Sequence, residues 1–399
     1  MHHPLTRSRY SWVLIVLLAS LVACSSSGRD DIQGYSVETI DGIRVQVFAE
    51  THQAPINPFS LVQSITFGTE QGADTYLLSR PFPMGLGPDG NLYVMDLMEA
   101  IHRFAPDGTH RGQFYRKGQG PGEFSMLQDL VVDKEHLYSA DLILGRMNVF
   151  AHEGTWLRSI PFPAETRQSP YWSVWGPRSE RKYLIWRQGN APGGAEGTAN
   201  FSITLLDNTL HVIDIPVDIS LSYGYYSIGD QWQFLPFTNT IPQVALAPDL
   251  PVAWSDGSEF RIDFFSAQTG ARWATIIPHD PLPVTEAMKK QFFESYRRPD
   301  QLEELRRNIR FPDHASHIQS AGMRWDMAGR LWVCEYRDRT ASDAPYRYHV
   351  FSRNGIWLFS QDLPTPARLI TELGVYCPGS LDDGTPVIEY YLFQLVEDH

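Results

Sequence analysis

The fold is decided by the stretch Gly87-Pro88-Asp89-Gly90-Asn91-Leu92-Tyr93-Val94-Met95-Asp96 and by the run Ile101-His102-Arg103-Phe104-Ala105-Pro106-Asp107-Gly108 that follows it. Each part combines a short run of strand-forming residues with a turn of Asp-Gly type. Together they predict neighbouring antiparallel strands. A unit of the same kind runs from Asp133 to Gly154, with Leu137-Tyr138-Ser139-Ala140-Asp141 as its central strand.

Further copies of this unit follow along the chain. Their central strands are Val252-Ala253-Trp254-Ser255-Asp256, Leu331-Trp332-Val333-Cys334-Glu335 and, in a degenerate copy, Tyr183-Leu184-Ile185-Trp186-Arg187. Four short antiparallel strands that repeat at about 40–50 residues are typical of propeller blades. A single blade cannot bury both of its faces, whereas a ring of blades can.

The two ends of the chain resemble parts of one blade. The segment from Asp383 to Tyr390 resembles a first half, and residues 43–49 and 61–67 resemble the missing outer half. We therefore expect the N-terminal strands to complete the last blade, which closes the ring and leaves few exposed edges. Five blades and this composite predict an all-β, six-bladed β-propeller over residues 35–399, with a helical insertion between blades four and five.

The repeat resembles that of six-bladed, NHL-type β-propellers found among lipoproteins of the bacterial cell envelope. The resemblance is carried by strands such as Leu92-Tyr93-Val94-Met95-Asp96 and by the link Lys117-Gly118-Gln119-Gly120-Pro121-Gly122-Glu123-Phe124. It implies the fold and leaves the function open, because propellers carry binding, scaffolding and several enzyme activities.

The N-terminus has the order of an export signal. Arg7 and Arg9 precede an apolar run from Trp12 to Ala23, which is shorter than the roughly 20 residues needed to span a bilayer. The last four residues, Leu21-Val22-Ala23-Cys24, resemble the lipobox of bacterial lipoproteins. We expect residues 1–23 to be removed, Cys24 to carry the diacylglyceryl and palmitate anchor, and residues 24–34 to form a flexible tether. The alternative is an ordinary secretory signal with an incidental cysteine.

Location and partners follow from this anchor and from the charge. The resemblance places the protein in the cell envelope, attached to the membrane through Cys24, and Ser25 after the cysteine favours the outer membrane. The formal net charge of −13 repels phosphate backbones, so nucleic acid is not expected as a partner. Cys334 and Cys377 could pair outside the cytoplasm, but we expect two buried free thiols because the chain has no disulfide framework.

The local motifs of the sequence point to no single chemistry. Residues 85–90 match a GxGxxG fingerprint, but a strand follows where that fingerprint needs a helix. Neither a G-x-S-x-G nor an H-E-x-x-H motif occurs in the sequence. His314 and His317 could approach one metal if they lie on a helix, although no third ligand is assured.

Eight residues should lie on one face around the central channel, since inner strands start and second strands end there. They are Asp96, Asp141, Asp256 and Glu335 at ends of second strands, Arg187 at that place in the degenerate blade, and Gln128, Trp172 and Gln243 before first strands. The carboxylates either accept hydrogen bonds from their own turns or form a ring that holds Ca²⁺ at the channel mouth or a polar ligand.

Two insertions should rise from the same face. Residues 219–237 are rich in aromatic side chains, and residues 283–314 carry helical signals with Thr285 and Asp300 as candidate caps. Either the helices seal hydrophobic surface, or the insertions form a lid or docking surface. The docking candidates are Tyr225, Trp232, Phe292 and Tyr296.

These features favour a non-catalytic binding module that presents one propeller face to a peptide, a glycan or a partner protein. Two alternatives remain open. The first is a metal-dependent enzyme, because the six-bladed propellers that the chain resembles include lactonase-like hydrolases and lyases. No residue pattern here matches the metal ligands of those enzymes. The third hypothesis is a scaffold for the assembly of envelope proteins.

Overall fold

The computed structural model describes residues 34–68, 78–96, 100–114, 116–141, 143–162, 172–175, 182–188, 196–207, 212–228, 231–239, 242–247, 249–296, 298–338, 340 and 344–396. Side chains are not described at 116, 128–129 and 321, nor over most of 172–234. The predicted signal over residues 1–23, Cys24 and nearly all of the tether lie outside the described residues.

Three strands precede the repeated part of the chain: β1 (Tyr35–Ile40), β2 (Ile43–Phe48) and β3 (Phe59–Phe67). The first sheet contains β4 (Pro81–Leu86), β5 (Leu92–Asp96), β6 (Ala100–Phe104) and β7 (His110–Phe114). A small parallel pair follows, made of β8 (Arg116–Lys117) and β9 (Glu123–Phe124). The second sheet contains β10 (Leu127–Val132), β11 (Leu137–Asp141), β12 (Arg146–Phe150) and β13 (Trp156–Pro161).

The later sheets repeat this antiparallel order. The third contains β14 (Trp172–Trp175), β15 (Lys182–Gln188), β16 (Glu196–Leu206), β17 (Val212–Ile228) and β18 (Gln231–Phe234). The fourth contains β19 (Gln243–Ala245), β20 (Val252–Ser255), β21 (Arg261–Phe265) and β22 (Arg272–Ile276). The fifth contains β23 (Ile318–Trp325), β24 (Leu331–Glu335), β25 (Tyr346–Phe351) and β26 (Trp357–Leu363).

The sixth sheet joins the two ends of the described chain. It contains β27 (Leu369–Ile370), β28 (Gly374–Ser380) and β29 (Pro386–Leu395), with β3 as its fourth strand. The register runs antiparallel from Ile388↔Phe67 to Leu395↔Phe59. The expected closure by residues 61–67 is therefore present. The C-terminal part supplies three strands of this sheet rather than half of it.

Strand β2 is placed differently from the prediction. Residues 43–49 were expected beside the last strands, but β2 pairs in parallel with β22, from Arg44↔Trp273 to Val47↔Ile276. The hairpin of β1 and β2 thus widens the fourth sheet to six strands. Phe48 explains the attachment, because its buried ring packs into the core between the fourth and fifth sheets.

The hydrophobic core lies between adjacent sheets. In β5 and β11 all five residues are buried, since each of these strands is covered on both faces. The core between sheets four and five includes Ile262, Leu331 and Val333. Burial of one such side chain contributes roughly 1.5–3 kcal/mol relative to exposure.

Inner strands of several sheets surround a common cavity of about 370 Å³. Residues of β4, β10 and β27, the end of β23 and the segment after β19 line it. Sequential four-stranded antiparallel sheets arranged around a shared central space form a β-propeller.

Two helices lie between β22 and β23. Helix α1 (Glu286–Ser295) begins at Thr285, whose side chain accepts a hydrogen bond from the amide of Met288, as expected of an N-cap. A 3₁₀ turn (Pro299–Gln301) precedes helix α2 (Leu302–Asn308). Asp300 does not cap α2, because the 3₁₀ turn contains it and Gln301 takes the cap position without a side-chain bond.

The predicted aromatic insertion at 219–237 is mostly a β-hairpin. Its chain continues β17 without a break and returns as β18, from Tyr225↔Phe234 to Ile228↔Gln231. Leu235 then packs against the helices, in a cluster with Leu302, Leu305 and Ile309. The two insertions therefore contact each other.

Cys334 and Cys377 are buried free thiols. Within the described residues, no helix has both the length and the apolar character that crossing a membrane requires.

Candidate metal centre

Three potential metal ligands meet at one edge of the fourth and fifth sheets. Glu335 is the last residue of β24, and His349 lies within β25. His279 follows β22, at the start of the connection that carries the helices. One ligand atom from each of the three residues lies within 4.8 Å of the others.

The carboxylate of Glu335 stands between the two imidazoles. Its Oε1 lies 2.6 Å from Nε2 of His349 and 3.8 Å from Nε2 of His279. The side chains of His349, His279 and Glu335 are 7%, 14% and 26% exposed. The cluster is therefore sheltered by protein on most sides and open to solvent at the carboxylate.

The other ring nitrogens have partners of their own. Nδ1 of His349 lies 2.9 Å from the hydroxyl of Ser360, and Nδ1 of His279 lies 2.9 Å from Nδ1 of His317. A histidine that binds a metal through Nε2 is normally oriented by a hydrogen bond at Nδ1. Both imidazoles are thus held with Nε2 directed at the shared site.

Burial and contacts with neighbouring side chains shift the pKa values of Glu335, His349 and His317. Burial raises the pKa of the Glu335 carboxyl, but the close imidazoles of His279 and His349 outweigh it and hold that pKa well below its usual range. Burial lowers the pKa of His349 despite the neighbouring Glu335. Burial, together with His279 and His314, also lowers the pKa of His317. An ionised carboxylate is the form in which Glu335 would bind a metal.

The repeat shows why Glu335 differs from its counterparts. In the register of β5 and β11, Asp96 and Asp141 hold the same place at the end of the second strand. Asp96 accepts hydrogen bonds from the amides of Ser79 and Arg80, and Asp141 accepts them from the amides of Ser125 and Leu144. Both carboxylates are fully buried and fix the backbone around their strand ends, as the structural alternative anticipated.

Of the remaining five face residues, the two whose side chains the structure describes, Asp256 and Gln243, do not join the cluster. Asp256 lies one position beyond β20, is exposed and bonds Ser258, because Ser255 rather than Asp256 pairs with Gln243. Gln243 is buried at the start of β19. The backbone places Gln128, Trp172 and Arg187 in β10, β14 and β15, but their side chains lie outside the described part of the chain.

The two docking candidates whose side chains the structure describes, Phe292 and Tyr296, are partly buried against neighbouring residues. Phe292 is half-buried, with its ring centre 5.7 Å from that of Phe311 and 6.2 Å from that of Phe237. Tyr296 belongs to the cluster around buried Leu305. These two aromatic residues therefore pack within the helical insertion and against the segment that follows β18. Tyr225 and Trp232 lie in β17 and β18, with side chains that the structure does not describe.

Two ligands were missed at the sequence level. His279 and His349 belong to no local motif, because they come from different sheets. Neither His314 nor His317 lies on a helix. His314 forms an isolated β-bridge with Pro283, and of the two only His317 contacts the cluster, through His279. One signal was available, since His102, Asn148 and His349 occupy equivalent places in third strands and bond to His110, Ser159 and Ser360 in fourth strands.

No family model and no curated protein matches the chain. A protein of Bacteroides fragilis NCTC 9343, described as exported, is similar in structure, with a TM-score of 0.52, 12% identity, and coverage of 88% of this chain and 100% of that one. The fold is a β-propeller. A member of the DUF4221 family from Bacteroides vulgatus ATCC 8482 has a TM-score of 0.49 and 9% identity, with coverage of 85% of this chain and 99% of that one.

Proposed function

We propose that this protein is an exported, lipid-anchored, six-bladed β-propeller that binds Zn²⁺ through His279, Glu335 and His349. The observation that carries the proposal is the convergence of two oriented Nε2 atoms and one ionised carboxylate within 4.8 Å. Among the residues that the structure describes, no other group of three such side chains meets.

The ligand set favours a transition metal over calcium. Calcium takes six to eight oxygen ligands, whereas two of these three ligand atoms are imidazole nitrogens. Zn²⁺ binds histidine nitrogen and carboxylate oxygen at about 2.0–2.2 Å, so tetrahedral ligands lie roughly 3.3–3.5 Å apart. Small rotations of Glu335 and His349 would reach these separations from the present 2.6 Å contact.

The number of ligands favours a site that does more than hold the fold together. Structural zinc sites have four protein ligands, whereas catalytic sites have three and leave one position for water or substrate. Here three protein ligands meet, and Glu335 is open to solvent. A metal with such an open position can activate water or polarise a carbonyl. This favours a metal-dependent hydrolase or lyase as the second candidate function, ahead of a docking surface on the insertion.

The export and architecture parts of the proposal rest on different support. Six sheets of four or more strands, counted over the described residues, support the proposed six blades, and the helices between β22 and β23 support an insertion between the fourth and the fifth. The lipobox-like Leu21-Val22-Ala23-Cys24 supports a lipid anchor, and Ser25 after the cysteine favours the outer membrane. The exported Bacteroides protein with the similar fold agrees with a location outside the cytoplasm.

Metal content of the purified protein tests the function. We expect one Zn²⁺ per chain after loading and dialysis, and loss of that ion in His349→Ala and Glu335→Ala. The matched control is His314→Ala, which removes an exposed imidazole beside the centre. Absence of bound Zn²⁺ in the unaltered chain, or the same stoichiometry in a folded His349→Ala variant, would refute the proposal.

A further inference from the structure

Arg347 is a neighbour of the metal centre on one face of the fifth sheet. The register that pairs Cys334 with Tyr348 brings Glu335 opposite Arg347 at the next position. Arg347 also precedes His349 by two positions in β25, and alternate residues of a strand share one face. The close contact between Glu335 and His349 lies on this same face. Arg347 therefore lies beside the centre, at the end of the sheet where Glu335 meets solvent.

Asp362 holds the guanidinium of Arg347 in one orientation. Nε and Nη2 of Arg347 donate hydrogen bonds of 2.8 and 3.0 Å to the two carboxylate oxygens of Asp362, and paired bonds of this kind fix a planar guanidinium. Asn57 in turn fixes Asp362, because it accepts a bond from the Asp362 amide and donates one to the carboxylate. Nη1 of Arg347 takes part in neither bond to Asp362, and the side chain is 40% exposed. An oriented guanidinium with a donor group to spare is thus within reach of solvent.

The charge of this group of side chains changes sign when a divalent metal binds. Glu335 and Asp362 contribute one negative charge each, and Arg347 contributes one positive charge. The hydrogen bond to Asp362, and then the charges of Asp362 and Glu335, raise the pKa of Arg347 in spite of burial. Histidines that coordinate a metal are neutral. The loaded group would therefore carry one positive charge in excess, on a protein whose formal net charge is −13.

We propose that the metal centre takes a substrate that carries a carboxylate, which Arg347 binds while another group of the substrate reaches the metal. The inference rests on the proposed Zn²⁺ site. A guanidinium donates its N–H groups in the geometry that a carboxylate accepts. A single carboxylate would balance the excess charge of the loaded centre, whereas a phosphate dianion would reverse it.

The fourth sheet contains a similar arginine without this role. In the register of β20 and β21, Arg261 takes the place that Arg347 has in the fifth sheet. Nε and Nη2 of Arg261 donate hydrogen bonds of 2.9 and 2.8 Å to the carboxylate of Asp263. The carboxylates that raise its pKa belong to Asp263, Glu259 and Asp256, none of which is a metal ligand. Arg261 with Asp263 is therefore the matched control for Arg347 with Asp362.

Calorimetric titration of the Zn²⁺-loaded protein with 3-mercaptopropionate tests the inference, with 3-mercaptopropan-1-ol as the neutral probe. Zinc binds the thiolate of either probe, and the two probes differ in the carboxylate. We expect the carboxylate probe to bind at least about tenfold more tightly, equivalent to about 1.4 kcal/mol. Equal affinities in the loaded protein would overturn the inference and leave the zinc site standing. A chain that retains no Zn²⁺ after loading would refute the proposed function, and the inference with it.

Removal of Arg347 should abolish the preference for the carboxylate probe. Arg347→Gln alone leaves the charge of Asp362 behind, so the decisive variant combines Arg347→Gln with Asp362→Asn. We expect this variant to bind both probes equally while it retains its Zn²⁺, and Arg347→Lys to keep part of the preference because it keeps the charge without the planar fork. The control that combines Arg261→Gln with Asp263→Asn should keep the full preference. An undiminished preference in the folded, loaded Arg347 variant, or an equal loss in both double variants, would overturn the role of Arg347.

Discussion

Oε1 of Glu335 lies 2.6 Å from Nε2 of His349, at the place in the repeat where Asp96 and Asp141 are bound by backbone amides. The extra methylene of glutamate lets the carboxylate reach across to the third strand. The link that leads into β23 also differs from the links between the earlier sheets, because it carries the two helices. It ends at His317, whose ring contacts His279. A position that supports the backbone in two sheets has thereby become part of a polar cluster in the fifth.

The hydrogen bond between Ser360 and His349 should tune metal affinity. Ser360→Ala removes the partner of Nδ1 and is expected to lower Zn²⁺ affinity about 10–100-fold, since partners of this kind orient the ligand ring. Competition with a chromophoric chelator measures the change. Ser159→Ala is the matched control, because Ser159 bonds Asn148 at the equivalent place in the second sheet. Equal losses in both variants would mean that the effect comes from general destabilisation.

Asp96 and Asp141 should matter for stability and not for metal binding. Asp141→Ala leaves amides around the end of β11 unpaired, and we expect a loss of about 2–4 kcal/mol in the free energy of unfolding. Urea denaturation measures it. Asp256→Ala, at an exposed turn, should cost less than about 1 kcal/mol. A fall in Zn²⁺ stoichiometry in folded Asp141→Ala would contradict the separation of roles.

Strand β3 should be required for the ring, whereas β1 and β2 should not. A chain that starts at residue 50 keeps β3 and is expected to fold with reduced stability, because it loses Phe48 from the core. A chain that starts at residue 69 exposes the edge of β29 and should aggregate. Size-exclusion chromatography and circular dichroism distinguish them. A monomeric, cooperatively folded product of the second truncation would argue against closure by β3.

The two buried thiols should report on global unfolding. Burial raises the pKa of Cys334 and of Cys377 to about 12, so both remain protonated at pH 8 and are shielded from reagents. We expect no reaction with a thiol-specific disulfide reagent in native buffer and reaction of both thiols across the urea transition. Fast labelling of either thiol before that transition would show that its sheet opens locally.

Much of the fold could be predicted because the repeat encodes it locally. Leu92-Tyr93-Val94-Met95-Asp96 specifies a buried strand and its turns, and the same pattern recurs in four of the later sheets. The position of β2 could not be predicted, because an edge strand such as Ile43–Phe48 carries no mark of the sheet it joins. The packing of Phe48 into the core between the fourth and fifth sheets places β2 beside β22.

The candidate site was predicted only in part. Glu335 was expected on the functional face because it ends a second strand, and it enters the cluster alone among the face residues whose side chains the structure describes. His279 and His349 approach it only when the fourth and fifth sheets pack together, which no spacing in the sequence records. Asp256 keeps the place of Asp96 in the register with the third strand, but β20 ends one residue earlier, at Ser255, so its carboxylate lies exposed in the following turn.

The most direct test of the metal centre is a crystal structure of the Zn²⁺-loaded protein with data collected on both sides of the zinc absorption edge. We predict one anomalous peak per chain, at about 2.0–2.2 Å from Nε2 of His279, Nε2 of His349 and a carboxylate oxygen of Glu335. A loaded crystal in which the 2.6 Å contact between Glu335 and His349 is kept, with no anomalous density among the three side chains, would contradict the account.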